Sequence, residues 1–133
     1  MATKVIVNVL LKSGSEVGLV QYPDMPDQQS GFMIASAIVP EGGDVEGAAR
    51  DIVQTHFDGL MQGQCKLFAA ESFIGRDGTW HVAISYFVES SKESIRAKDA
   101  VKRMEWISAD AVTSFELAHP GWTRSLIRKA MSS

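Results

Sequence analysis

The run from Trp80 to Glu89 has no polar side, and this limits the chain to a few architectures. In an extended strand, Trp80, Val82, Ile84, Tyr86 and Val88 share one face, and His81, Ala83, Ser85, Phe87 and Glu89 share the other. Both faces are largely apolar, so the strand needs cover on both sides. A sheet with helices on each face meets that need, and the chain is long enough to build one. Its 133 residues are 45% hydrophobic and 22% charged. This suits a single domain over 1–133 that buries roughly two-thirds of its unfolded surface.

Thirteen Lys and Arg against sixteen Asp and Glu give a net charge of −3, which argues against binding a nucleic-acid polymer. The single cysteine, Cys65, excludes an intrachain disulfide, and no Cys/His cluster has zinc-ligand spacing. Val5 to Leu11 is apolar but interrupted by Asn8 and far shorter than the roughly 20 residues of a membrane span. It lacks the basic start and small-residue cleavage site of a signal peptide. It reads as a buried strand, in a protein expected in the cytoplasm and not at a membrane.

Punctuation sets the order of elements. Lys12 to Glu16 is a turn between strands Val5–Leu11 and Val17–Tyr22, a β-hairpin. Pro23 to Gly31 is a polar loop, and Phe32 to Val39 is a third strand. Pro40-Glu41-Gly42-Gly43 breaks the pattern, and Asp44 is the N-cap of a helix over Val45 to about Phe57. Val45, Ala48, Ala49, Ile52 and Val53 form its apolar stripe, and Asp58-Gly59 stops it. Beyond the Gln62–Gln64 connection, Lys66–Ile74 and Trp80–Glu89 are strands around the turn Gly75–Thr79. Ser90 to Ala100 is polar and reads as a mobile loop, followed by a strand over Val101–Ile107. Ser108 caps a short helix over Ala109–Val112, and His119-Pro120-Gly121 opens the last helix, with Trp122, Leu126, Ile127 and Ala130 on its apolar face. The fold class is α/β (α+β), a mixed sheet held between helices.

With Arg50-Asp51-Ile52 as anchor, preceded by Ala48-Ala49 and with Pro40 in the loop, the segment resembles the central motif of the Nudix (MutT-like) superfamily. Leu19-Val20-Gln21 and Met104 to Asp110 are similar to strands and a short helix of that family on either side of the motif. The resemblance covers most of the chain and implies an α/β/α sandwich. The family motif runs Gly, five residues, Glu, seven residues, Arg-Glu-apolar, one residue, Glu-Glu, one residue, Gly. In this register Ser36 stands at the first glycine and Gly42 at the first glutamate. Asp51 stands at the second glutamate, Gln54 and Thr55 at the Glu-Glu pair, and Phe57 at the last glycine. One of four acidic positions remains.

Positions 51, 54 and 55 share one helical face. Carboxylates there would offer hard oxygen ligands to Mg²⁺ or Mn²⁺, which would polarise a phosphoryl oxygen or activate water. Asp51 with Gln54 and Thr55 supplies one charge and two neutral oxygens, so any Mg²⁺ or Mn²⁺ is expected to bind weakly at Asp51. The candidate catalytic residues are Arg50, Asp51 and Glu41, the last adjacent to the glycine at the first acidic position. The stronger reading of Arg50 is structural, an ion pair with Asp51, Glu46 or Glu41 that fixes the loop to the helix. Asp58, Glu71, Glu89, Glu93 and Asp99 are the acids available to compensate, each weighed against a solvated surface role. His56 is weighed as a ligand or base beside the face of Asp51, against an inert histidine. His81 reads as packing, and Cys65 as an unreactive thiol whose pKa Lys66 could lower.

Tyr22, Phe32, Phe73, Trp80 and Phe87 can fill the core or line a pocket that stacks a planar group. Tyr22, Phe32 and Phe87 are the ligand-binding candidates. No Gly-x-Ser-x-Gly elbow or Walker loop is present. Two functions stay open: a non-catalytic or weakly active binder of a nucleotide-like or phosphorylated small molecule, and a divalent-metal-dependent diphosphate hydrolase with relocated acids. The resemblance also allows a homodimer.

Overall fold

The computed structural model describes residues 3–23, 31–59, 65–75, 77–114, 117 and 120–132. Most of the polar loop expected over Pro23–Gly31, the Gln62–Gln64 connection and His119 lie outside these residues. The strands are β1 (Thr3–Ser13), β2 (Glu16–Gln21), β3 (Ala35–Val39), β4 (Phe57–Asp58), β5 (Lys66–Ile74), β6 (Trp80–Glu89), β7 (Arg96–Ala97) and β8 (Arg103–Ser108). The helices are α1 (Val45–His56) and α2 (Pro120–Met131), with short 3₁₀ turns at Lys92–Ser94 and Ala109–Ser114. No helix among the described residues is long and apolar enough to cross a membrane.

The order β5-β6-β1-β2-β8, with β3 also paired to β1, makes one mixed sheet. β1 runs parallel to β6, with Val7 opposite Ile84 and Leu10 opposite Phe87. It runs antiparallel to β2 and β3, and β5 and β6 form the second expected hairpin. Each face carries a core. Val7, Val9, Leu11, Tyr86 and Val88 pack with Ala49 and Ile52 of α1. Leu10, Leu19, Phe87 and Ile107 pack with Leu126, Ile127 and Ala130 of α2. A side chain such as Ile52, 1% exposed, contributes roughly 1.5–3 kcal/mol by leaving water. Asn8, which interrupts the first apolar run, is buried and donates from Nδ2 to Ser85 Oγ on β6 at 3.1 Å. The two polar groups meet where their strands pair.

Cover is less complete than the pattern of β6 implies. Leu67, Ile74 and Trp80 stay exposed, because α1 packs over β1 and β3. The strand expected over Phe32–Val39 forms a ladder only from Ala35. Before it, Met33 exchanges two backbone hydrogen bonds with Val20, at 2.8 and 2.9 Å, so the chain leaves β2 before joining β1. The helix ends at His56, one residue before the expected limit, and Phe57 turns extended. Gly59 then passes so close to the Ser94 carbonyl that a Cβ would collide with it, and its φ of +93° suits glycine. The segment read as a mobile loop, Ser90–Ala100, is tied down. Ile95 is buried, Phe57 pairs with Ala97, and the Lys98 amide donates to the His56 carbonyl at 2.8 Å.

Candidate functional site

The segment entering α1 is held by its own turn. Gly43 N–H donates to the Pro40 carbonyl at 2.8 Å, and Gly42 between them has φ of +80°. A side chain at Gly42 would be strained there, so glycine suits this turn where the Nudix resemblance has a glutamate. Glu41 precedes it on the exposed surface. Asp44 is the N-cap as expected, its Oδ2 accepting from Gly47 N–H at 3.1 Å. Arg50 reaches back to that same oxygen at 3.7 Å. Its partner is therefore Asp44, and not Asp51, Glu46 or Glu41. With both side chains more than 60% exposed, this pair contributes only about 0–1 kcal/mol.

The outward side of α1 carries Asp51, Gln54 and Thr55, all exposed. The Thr55 hydroxyl is turned back onto the helix, donating to the Asp51 carbonyl at 2.8 Å. The Lys98 ammonium donates to the Gln54 carbonyl at 2.7 Å, placing a cation on the negative end of the helix. Among the described residues no three His, Cys, Asp or Glu side chains are grouped to hold a metal. One free carboxylate, one amide and one engaged hydroxyl do not suit Mg²⁺, which dehydrates reluctantly and favours carboxylate oxygens.

The inward side holds a feature that composition hides. His56 is buried, with Nε2 2.8 Å from the Tyr22 hydroxyl and Nδ1 2.8 Å from Thr55 Oγ1. The Asp51 carbonyl can only accept, so Thr55 donates to it and accepts from His56 Nδ1–H. Nε2 then accepts from Tyr22, whose oxygen accepts from Ser36 N–H at 3.0 Å. This directional chain joins β3 to the last turn of α1 and stabilises the neutral imidazole. Burial pushes the His56 pKa below its ordinary value and the Tyr22 pKa above its own. His56 continues the apolar stripe of Ala49 and Ile52, at i+7 and i+4. That spacing is the signal that places it inside and not beside Asp51.

The remaining candidates are scattered. Tyr22 packs against the α1-side core, whereas Phe32 and Phe87 belong to the α2-side core, 8% and 5% exposed. The sheet separates them, and the three rings do not line one pocket. The Lys12 ammonium lies 4.4 Å above the Phe87 ring, and the Arg103 guanidinium 5.8 Å from that of Phe32. Glu71 pairs with Lys129 of α2 at 3.6 Å, and Glu89 lies 3.9 Å from Lys12. Glu93 accepts from Ser91 at 2.7 Å, and Asp58 sits exposed on β4. Of the five reserve acids, Asp58 and Asp99 lie next to the backbone contacts at the end of α1. Burial raises the Cys65 pKa, and the opposing cation is Arg50, not Lys66. His81 stacks on Phe73 at 5.1 Å, the packing role expected of it.

No family model and no curated protein matches the chain. Solved structures do. It aligns with the Nudix domain of Shewanella oneidensis NrtR, solved with ADP ribose, at 17% identity and TM-score 0.78, over 99% of this chain and 88% of that one. A MutT/nudix family protein from Listeria innocua aligns at 14% identity and TM-score 0.76, over 97% and 92%. A Nudix hydrolase from Nitrosomonas europaea aligns at 12% and 0.75, over 98% and 90%. At these identities the likeness is one of fold, and the chain has the Nudix fold.

Proposed function

We propose that this Nudix-fold protein is a non-catalytic or weakly active binder of a nucleotide-like or phosphorylated small molecule. The observation that carries the reading is the outward side of α1. At the three motif positions there, Asp51 is the one carboxylate, the Thr55 hydroxyl is spent on the helix, and the Lys98 ammonium sits on the Gln54 carbonyl. Such a surface has little negative charge with which to hold Mg²⁺ or Mn²⁺. Fold and chemistry are separable, because activity depends on the site. The ADP ribose bound to the Shewanella oneidensis domain supports a ligand of this class.

The competing reading, a metal-dependent diphosphate hydrolase with relocated acids, rests on Asp58 and Asp99 beside the end of α1, with Glu41 before the helix. A hydrolysis screen over nucleoside and non-nucleoside diphosphates with Mg²⁺ and Mn²⁺, run beside Asp51→Ala, separates the two. The binder reading expects little or no turnover, and a rise in melting temperature with ADP ribose in the absence of metal. Efficient metal-dependent turnover abolished by Asp51→Ala overturns it.

A further inference from the structure

α1 stands over β1 and β3 and, among the described residues, leaves the same side of β5 and β6 open. The register sets Ile74 beside Trp80, Ser72 beside Val82 and Ala70 beside Ile84, with Leu67 beyond them next to Tyr86. Leu67 is 60% exposed, Ile74 66% and Trp80 47%, and Ala70 and Ser72 are exposed as well. None of these side chains carries a charge. The other side of the same strands is closed by α2, where Phe73 meets Trp122 at 6.2 Å and Glu71 pairs with Lys129.

The size and make-up of the open face narrow what covers it. The largest apolar patches of monomers span about 300–600 Å² and are often functional. Two of them face to face take about 600–1,200 Å² from water, a range that includes the roughly 1,000 Å² of the smallest specific interfaces. A face without charge cannot select an oppositely charged partner, and in a chain of net charge −3 it has little attraction for anionic lipid. It matches a second apolar face of its own kind. α1 then dictates the docking. Laying β5 on β5 would drive the two α1 helices into one gap, whereas laying β5 on β6 puts them at opposite flanks of the joint. We propose that this face is a homodimer interface, isologous about a two-fold axis along the strands, with β5 of each copy over β6 of the other. The two sheets pack about 10 Å apart, with Ile74 of each copy against Trp80 of the other. This interface is independent of the ligand reading of the outward side of α1.

Sedimentation equilibrium of the full chain tests it, and a weak, reversible dimer dissociating at about 10–100 µM is expected. Ile74→Glu and Ser72→Lys, both at exposed positions, should each weaken it at least about tenfold, because two-fold symmetry buries every introduced charge twice. Mixing Ser72→Lys with Ser72→Glu should restore the dimer, which misfolded variants could not do. Ile38→Glu, at a position 64% exposed on the opposite side of the sheet, should leave association unchanged. A single-chain mass at every concentration, a dimer indifferent to both Ile74→Glu and Ser72→Lys, or one broken equally by Ile38→Glu would overturn the proposal. So would ADP ribose shifting the Trp80 indole N–H in NMR spectra while the mass stays that of one chain, which would give the face to a small ligand.

Discussion

Ala49, Ile52 and His56 line the inner side of α1 and are buried, whereas Arg50, Asp51, Gln54 and Thr55, from the same helix, face solvent. The inner side is fixed by contact, its residues packing on β1 and β3 or hydrogen-bonding across to Tyr22. The outer side touches little, and the Nudix resemblance assigns its chemistry to those outer positions. A helix built this way can lose carboxylates from one side without losing its seat on the sheet. The fold therefore does not depend on carboxylates at those outer positions.

The contrast is open to direct challenge. The largest effect is expected from Ile52→Ala, which should cost about 2–5 kcal/mol in urea denaturation. A loss under 1 kcal/mol would mean that the inner side does not anchor the helix. Next is Tyr22→Phe, which leaves Ser36 N–H and His56 Nε2 without the hydroxyl and should cost about 1–3 kcal/mol. A cost no larger than that of a surface change would show that the chain from β3 to α1 contributes nothing.

Acid should act through the same imidazole. Because the folded pKa of His56 lies below its unfolded value, near 6.5, the unfolded state binds the proton more tightly. Stability is therefore full above that value and falls as pH drops from it towards the lowered folded pKa. The slope from this one group is at most about 1.4 kcal/mol per pH unit. Melting temperatures between pH 7.5 and 5.5 test this, and His56→Gln should flatten the curve. Asp44→Ala, which removes the N-cap and the partner of Arg50, should cost about 1 kcal/mol. The smallest effect belongs to the outer side, where Asp51→Ala should change stability by no more than about 0.5 kcal/mol. A larger loss there would erase the distinction between the two sides.

Local grammar made much of the fold legible. Both hairpins, the Asp44 cap, the apolar stripe of α1 and the face of α2 follow from period and turn chemistry, which act between near neighbours. The pairing of Phe57–Asp58 with Arg96–Ala97 does not, because two-residue strands leave no period to read. The partner of Arg50 is not legible in the sequence, because Asp44, six residues back, comes within reach only once the capping turn is formed. Phe32 and Phe87 could not be told from Tyr22 by residue type. What divides them is the side of the sheet each faces, and that depends on strand registers between distant segments. Lys12 gave no signal at all: a charged residue in a turn cluster is buried, with its ammonium donating to the Ala130 carbonyl at 2.9 Å.

The parallel pairing of β1 with β6 also governs how the chain reaches this state. Every contact in that ladder joins residues 77 positions apart, as Asn8 and Ser85 are. β1 is the strand on which β2, β3 and β6 all assemble, so the centre of the sheet closes only after a long loop has been gathered in. Loop closure entropy must be met before those contacts reward it. The β5–β6 hairpin, whose strands are neighbours in sequence, can form beforehand and wait. Folding should therefore be slow for a domain of this size, with the rate set by the docking of β6 against β1. Until that docking, both apolar faces of β6 are open to solvent and to other chains, which makes the interval before closure the period of greatest exposure to aggregation.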